Sequence, residues 1–352
     1  MTKPKVLTFG KLEWADAGFL ADFESKFDVH AIEPPSNRDG AIRAVAEAAK
    51  TAGPFDAAIL LMGNSAYSPF DAPVFGPLAM NCRIVACVNA GFSEFDLDWF
   101  TANKMYVTNT LHAVAEPTAD IAIFLILAVL RDTTREEMNV RKGGWKNASA
   151  PPRDPNGLTL GIIGMGRIGK VRIAETQRAK YKKHNSEKHV ARKAKAFGLK
   201  IQYFNRSPVP AVEETALDAT YCSKLDDLLA TSDVISVNCP LSDATRDLIG
   251  VEEIAKMKDG VFLVNTGRGP IVNEKALIEG LRSGKITRAG LDVFDNEPNI
   301  NPWFRSAENC VVLPHMGSWT DAAWKNAYHE CMDNILAFFA RGKPISPVNT
   351  LE

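Results

Sequence analysis

Three side chains in the last third of the chain could together reduce a carbonyl that stands beside a carboxylate. Arg268, within VNTGRGP (264–270), offers a planar guanidinium fork for a carboxylate and for a polarised oxygen. His315, within LPHMGSW (313–319), can carry and release a proton near neutral pH. Glu297, within GLDVFDNEP (290–298), is a carboxylate able to hold an imidazole and favour its charged form. A cation for the anion and the oxygen, a proton donor and a group that keeps the donor protonated are what such a reduction requires. Each residue alone has a plainer reading: Arg268 as a surface turn, Glu297 as a loop charge, His315 as a satisfied buried histidine. Their occurrence in order, each after a strand-like run, argues for one site, because open α/β sheets gather ligands at strand ends.

Upstream, Gly164, Met165, Gly166, Arg167, Ile168 and Gly169 spell GxGxxG after the apolar run LTLGIIG and ahead of a helical pattern. Glycines there let the turn close and the backbone approach a pyrophosphate, which sits against helix-terminal N–H groups. An S-adenosylmethionine site is the main rival, but it does not demand the downstream motifs. In an NAD site the next strand ends in a carboxylate that bonds the ribose hydroxyls. Here LKIQYF ends in Asn205, Arg206 and Ser207. Arg206 can pair with a 2′-phosphate, to which Asn205 and Ser207 can donate, whereas an aspartate would repel it. NADP(H) is therefore favoured, with NAD(H) as the alternative; the plainer reading has Arg206 stacking on adenine or facing solvent.

The elements that must position these residues alternate throughout. Lys5–Phe9, Ala57–Met62 and Arg83–Val88 read as strands, with Ala41–Thr51 as a helix between them. Ala113–Arg131 reads as a long apolar helix and Arg141–Asn156 as loop. A second series follows: LTLGIIG, LKIQYFN, DVISVNC, VFLVNT, RAGLDVF and CVVLPH. Thr320–Arg341 reads as a final helix. Continuous apolar strands separated by helices predict an α/β chain of two Rossmann-like, doubly wound lobes. A length of 352 residues suits two domains. With 46% hydrophobic and 24% charged residues and a net charge of −1, neither nucleic acid nor a membrane surface is expected as a partner. Six scattered cysteines read as free thiols in a reducing compartment. MTKPKVLTFG carries no apolar signal core, so a cytoplasmic location is expected. The remaining histidines lack ligand-like spacing, and no metal is expected.

With these motifs in view, the chain resembles the D-isomer-specific 2-hydroxyacid dehydrogenase family from about Val85 to Asn349, and is similar to its fungal glyoxylate/hydroxypyruvate reductase and D-mandelate dehydrogenase-like members. The resemblance implies that Arg268 binds the substrate carboxylate and polarises the keto oxygen. It implies that His315 is the general acid in reduction and the base in oxidation, and that Glu297 holds its ring. Ala90, Gly91 and Phe92 match a loop whose N–H groups hold the carboxylate. Cys239, Pro240, Thr266 and Gly267 match turns flanking the nicotinamide, Asp292 lies near its carboxamide, and Thr118, Thr245 and Gly317 are further cofactor contacts. Residues 1–112 and 322–352 would form the substrate lobe and 113–321 the NAD(P)-binding lobe, their closure excluding water. A homodimer is implied, with the helix around Ala122–Leu130 and the loop around Gly144 and Trp145 at its interface. The partner would be a small 2-oxo acid or 2-hydroxy acid. Pocket size rests on a few side chains such as Leu61, Met62 and Phe92, with Trp319 either lining it or packing. Alternatives are an aromatic 2-oxo acid, as in D-mandelate dehydrogenase, or a cofactor-sensing corepressor-like binding protein. A formate dehydrogenase is disfavoured, since a reaction without proton transfer needs no glutamate on the histidine.

Residues 171–189, VRIAETQRAKYKKHNSEKH, stand out as an insertion. Gly169 and Asn205 are 36 residues apart, where the fingerprint calls for about 20. Without the segment, Ile168 is followed by Val190, Ala191 and Ala194 on one helical face that ends at Gly198. The stretch is basic, and is read either as a retained in-frame intron or as a genuine insertion, poorly ordered or loosely helical, beside the phosphate loop.

Overall fold

Apolar, β-branched runs bounded by turns become parallel strands in the computed structural model, which describes residues 2–61, 64–110, 112–146, 151–165 and 186–351. The described residues fall into two compact units, one within 1–114 and 319–352, the other within 115–169 and 184–318. In the first, β1 (Lys5–Phe9), β2 (Asp28–Ile32), β3 (Ala57–Leu60), β4 (Ile84–Cys87) and β5 (Tyr106–Thr108) form one sheet in the order β2-β1-β3-β4-β5. In the second, β6 (Thr159–Ile163), β7 (Lys200–Phe204), β8 (Ala219–Cys222), β9 (Val234–Val237), β10 (Val261–Asn265), β11 (Ile286–Leu291) and β12 (Cys310–Val312) form a sheet in the order β12-β11-β10-β9-β6-β7-β8. Both are the doubly wound α/β sheets expected. Every strand pair is parallel.

Three of these strands have no counterpart in the sequence reading: β2, β5 and β8. All three lie at sheet edges. An edge strand is covered on fewer sides, so β2 (DVHAI) and β8 (ATYC) are polar or half-exposed and show no continuous apolar run.

The helices dock through one-sided apolar faces. Asp321–Arg341 in the first unit buries Ala323, Ala327, Cys331 and Ile335, four residues apart and on one face. The Thr320 side chain caps its start, accepting from Ala323 N at 3.1 Å. In the second unit His112–Arg131 buries Ala119, Ala122, Leu125, Ile126 and Val129. Val190, Ala191 and Ala194, the face expected from the sequence, join the same core at 0% exposure. Each fully buried Val, Leu or Ile side chain among these contributes about 1.5–3 kcal/mol. His112–Arg131 is long and apolar enough to cross a membrane, but those residues line the core of the second unit.

Gly166, Arg167, Ile168, Gly169 and residues 171–185 of the expected insertion lie outside the described residues. The last four residues of that segment are described. Ser186–His189 open the helix Ser186–Lys195, and His189 is 5% exposed. Its Nδ1 lies 3.1 Å from Arg192 Nη2 and 3.7 Å from Glu116 Oε1, so the histidine is part of the helix docking.

Candidate active site

The second sheet turns back on itself at one place. From β6 the chain runs outward to β8, then returns to lay β9 against the other side of β6. Such a switch point opens a crevice beyond the strand ends. Gly164 leaves β6 at φ +94, and a Cβ there would stand 2.6 Å from the Cys239 backbone after β9. Only glycine lets those two loops meet.

Around this crevice stand the loops after the other strands. Asn205, Arg206 and Ser207 follow β7. The Asn205 amide donates to the Met165 carbonyl, so this residue braces the loop after β6 instead of standing free with its neighbours. Arg206 and Ser207 are exposed and carry no carboxylate partner among the described residues. Thr245 Oγ1 donates to the Pro240 carbonyl at 2.7 Å and closes the turn after β9. Thr266 Oγ1 donates to Asn238 Oδ1 at 3.1 Å, which ties the loops after β10 and β9 together. Glycine at 317 leaves space beside Thr118 and Asp292, since a Cβ would stand 3.2 Å from Thr118 Oγ1 and 3.1 Å from Asp292 Oδ2. A strand-end crevice, a glycine turn and facing hydroxyls fit a dinucleotide.

Arg268 follows β10. Asn265 shapes its loop from both sides, accepting from Gly267 N at 3.0 Å and donating to the Arg268 carbonyl at 3.0 Å. Arg268 Nη1 donates to the Gly267 carbonyl at 2.8 Å. Gly269 then lets this loop press on the next one, for a Cβ there would fall 1.9 Å from the Phe294 carbonyl carbon. That second loop carries Glu297, whose Oε1 accepts from Phe294 N at 2.8 Å. Its Oε2 lies 2.7 Å from His315 Nδ1.

His315 is held by its backbone as well. At φ 52 it sits in the left-handed region, which costs energy in a non-glycine residue. Buried Asp292 fixes that turn three times: its carbonyl accepts from His315 N at 2.9 Å, and its two carboxylate oxygens accept from Met316 N and Gly317 N at 2.8 and 2.9 Å. Burial pushes the Asp292 carboxyl above the usual carboxylate range, against the pull of those N–H groups and of His315. Burial also pushes Glu297 up, but the His315 hydrogen bond and charge, the Phe294 N–H and the Arg268 guanidinium outweigh it and leave Glu297 below the usual range. An ionised Glu297 can only accept, so the shared proton belongs to Nδ1 and Nε2 is the nitrogen left for exchange. The structure thus brings Glu297, His315 and Asp292 into direct contact and Arg268 within electrostatic range of Glu297. Ala90, Gly91 and Phe92 follow β4 in the first unit; Trp319, 63% exposed, belongs to that unit too. The bracing asparagines, Asn238 and Asn265, were missed by sequence reasoning, although each ends or follows an apolar strand.

Residues 123–182 and 187–317 match the D-isomer specific 2-hydroxyacid dehydrogenase, NAD binding domain. The chain belongs to that family. It is 45% identical to the Dehydrogenase efuE of Hormonema carpetanum over 99% of this chain and 82% of that protein. Among solved structures it is similar to a glyoxylate reductase from Paecilomyes thermophila, with a TM-score of 0.85 and 32% identity over 99% of each chain. It is also similar to the holo form of Rhodotorula graminis D-mandelate dehydrogenase, with a TM-score of 0.86 and 29% identity over 100% of this chain and 99% of that one. A 2-hydroxyacid dehydrogenase of this family works with a nicotinamide cofactor, and the crevice beyond β6 and β9 is where the strand ends would receive it.

Proposed function

We propose that this dehydrogenase reduces a small 2-oxo acid of the glyoxylate or hydroxypyruvate type to the D-2-hydroxy acid, using NADPH in preference to NADH. The observation that carries the reading is the 2.7 Å contact of His315 Nδ1 with Glu297, beside Arg268. When bound, the nicotinamide supplies the hydride for the carbonyl carbon. Arg268 attracts the carboxylate and stabilises the negative charge that grows on the keto oxygen. His315 gives that oxygen its proton from Nε2, and Glu297 keeps the ring oriented and its cationic form favoured. Asp292 holds the turn on which the imidazole stands.

The pairing sets a pH dependence. Because the Glu297 carboxyl is depressed, it is ionised at neutral pH and is neutralised only as pH falls through that lowered value. Glu297→Gln removes the counter-charge, so reduction should fade at a lower pH than in the unmodified enzyme. Profiles of kcat/KM against pH test this, and identical profiles would count against the pair.

Arg206 carries the cofactor preference. Arg206→Ala should raise KM for NADPH about ten- to a hundredfold, as expected for losing a hydrogen bond to a charged group, and leave KM for NADH little changed. Equal or better use of NADH by the unmodified enzyme would refute the preference. A second reading, an aromatic 2-oxo acid, draws on the likeness to D-mandelate dehydrogenase and on Phe92, 39% exposed beside the proposed carboxylate loop. A homodimer belongs to the same proposal: Phe124 and Phe197, exposed by 48% and 42%, flank an apolar surface cavity with Leu127, Ala128 and Pro155.

A further inference from the structure

Asn109 follows β5, and its side chain reaches the loop after β4. Its Nδ2 donates to the Ala90 carbonyl at 2.7 Å, and the residue is only 4% exposed. One residue on, Thr110 N donates to the Asn89 carbonyl at 3.1 Å. A trans peptide is planar, with its N–H opposite its C=O. Tying the Asn89 carbonyl towards segment 109–110 therefore turns the Ala90 N–H away from that segment. Tying the Ala90 carbonyl does the same for the Gly91 N–H. Neither N–H has a hydrogen-bond partner among the described residues, although both residues are partly buried. A buried N–H is seldom left unpaired, and successive N–H groups turned the same way make a concavity for an anion.

We propose that Asn109 is the positioning residue for the substrate carboxylate, holding the Ala90–Gly91 peptide so that the Gly91 N–H donates to it beside the Ala90 N–H, which Thr110 N orients through the Asn89 carbonyl. The proposal rests on the 2-oxo acid reading above. Asn109 is itself anchored. Its carbonyl accepts from Ser346 Oγ at 2.7 Å and its N–H donates to the Ser346 carbonyl at 3.4 Å. Asn334 fixes Ser346 in turn, accepting from Ser346 N at 2.9 Å and donating to Ser346 Oγ at 3.1 Å. The C-terminal segment thereby sets the orientation of a loop far from it in sequence.

The isosteric Asn109→Asp replaces the amide donor with a carboxylate that repels the Ala90 carbonyl and frees the peptide to turn. Oxamate, an unreactive 2-oxo acid mimic, reads the site without chemistry. Both the KM for glyoxylate and the dissociation constant for oxamate, measured calorimetrically on the NADPH complex, should rise about tenfold. KM for NADPH should stay unchanged, which separates the effect from general loosening of the fold. Asn109→Ala gives the same readout if the aspartate variant does not fold. Unchanged oxamate affinity in a folded variant, with the unmodified enzyme active, overturns the role of Asn109 alone. Failure of the unmodified enzyme either to reduce any 2-oxo acid or to bind oxamate overturns the 2-oxo acid reading and this proposal with it.

Discussion

Replacing His315 with alanine should lower turnover about 10²–10⁴-fold, the usual contribution of a positioned general acid. NADPH should still bind, because the loops after β6 and β7 do not depend on the imidazole. The alternative role for this residue is structural: its backbone closes a strained turn on Asp292. Those contacts are made by main-chain atoms, however, and survive the substitution. The loss should therefore appear in kcat with little change in thermal stability. Near-normal turnover in a folded His315→Ala enzyme would remove the proton donor from the account.

Arg268→Ala should fail differently. Its guanidinium is proposed to act on the substrate before the hydride moves and on the oxygen as it moves, so both KM and kcat should suffer. Removing one preorganised donor to a developing oxyanion costs about 10²–10³-fold in kcat. The substitution also removes a positive charge that holds Glu297 below the usual carboxylate range, so that carboxyl should move up. Arg268→Lys keeps the charge but loses the fork, and should recover only part of the rate. A change confined to KM would reduce Arg268 to an anchor for the carboxylate.

The chemistry was legible because each of Arg268, Glu297 and His315 follows an apolar strand, and strand ends are where a doubly wound sheet gathers its ligands. The interior strands β6, β7 and β9–β11, and the apolar edge strand β12, announced themselves by their apolar runs, whereas the edge strands β2, β5 and β8 did not. The face formed by Val190, Ala191 and Ala194 followed from helical spacing, but the place of His189 in the same helix did not, since it depends on Glu116 of the neighbouring helix and on Arg192 one turn along its own. The bracing of the site was least legible. The left-handed turn at His315, the press of Gly269 on Phe294 and the Asn109–Ala90 bond all depend on which strands are neighbours. A linear pattern names the strands before it fixes their order.

The most direct test is a steady-state assay of the purified chain with NADPH and NADH against glyoxylate, hydroxypyruvate, phenylpyruvate and benzoylformate. The account predicts consumption of NADPH with glyoxylate or hydroxypyruvate, at a kcat/KM above that for NADH and for the two aromatic acids. Oxidation of neither cofactor by any of the four acids would contradict it.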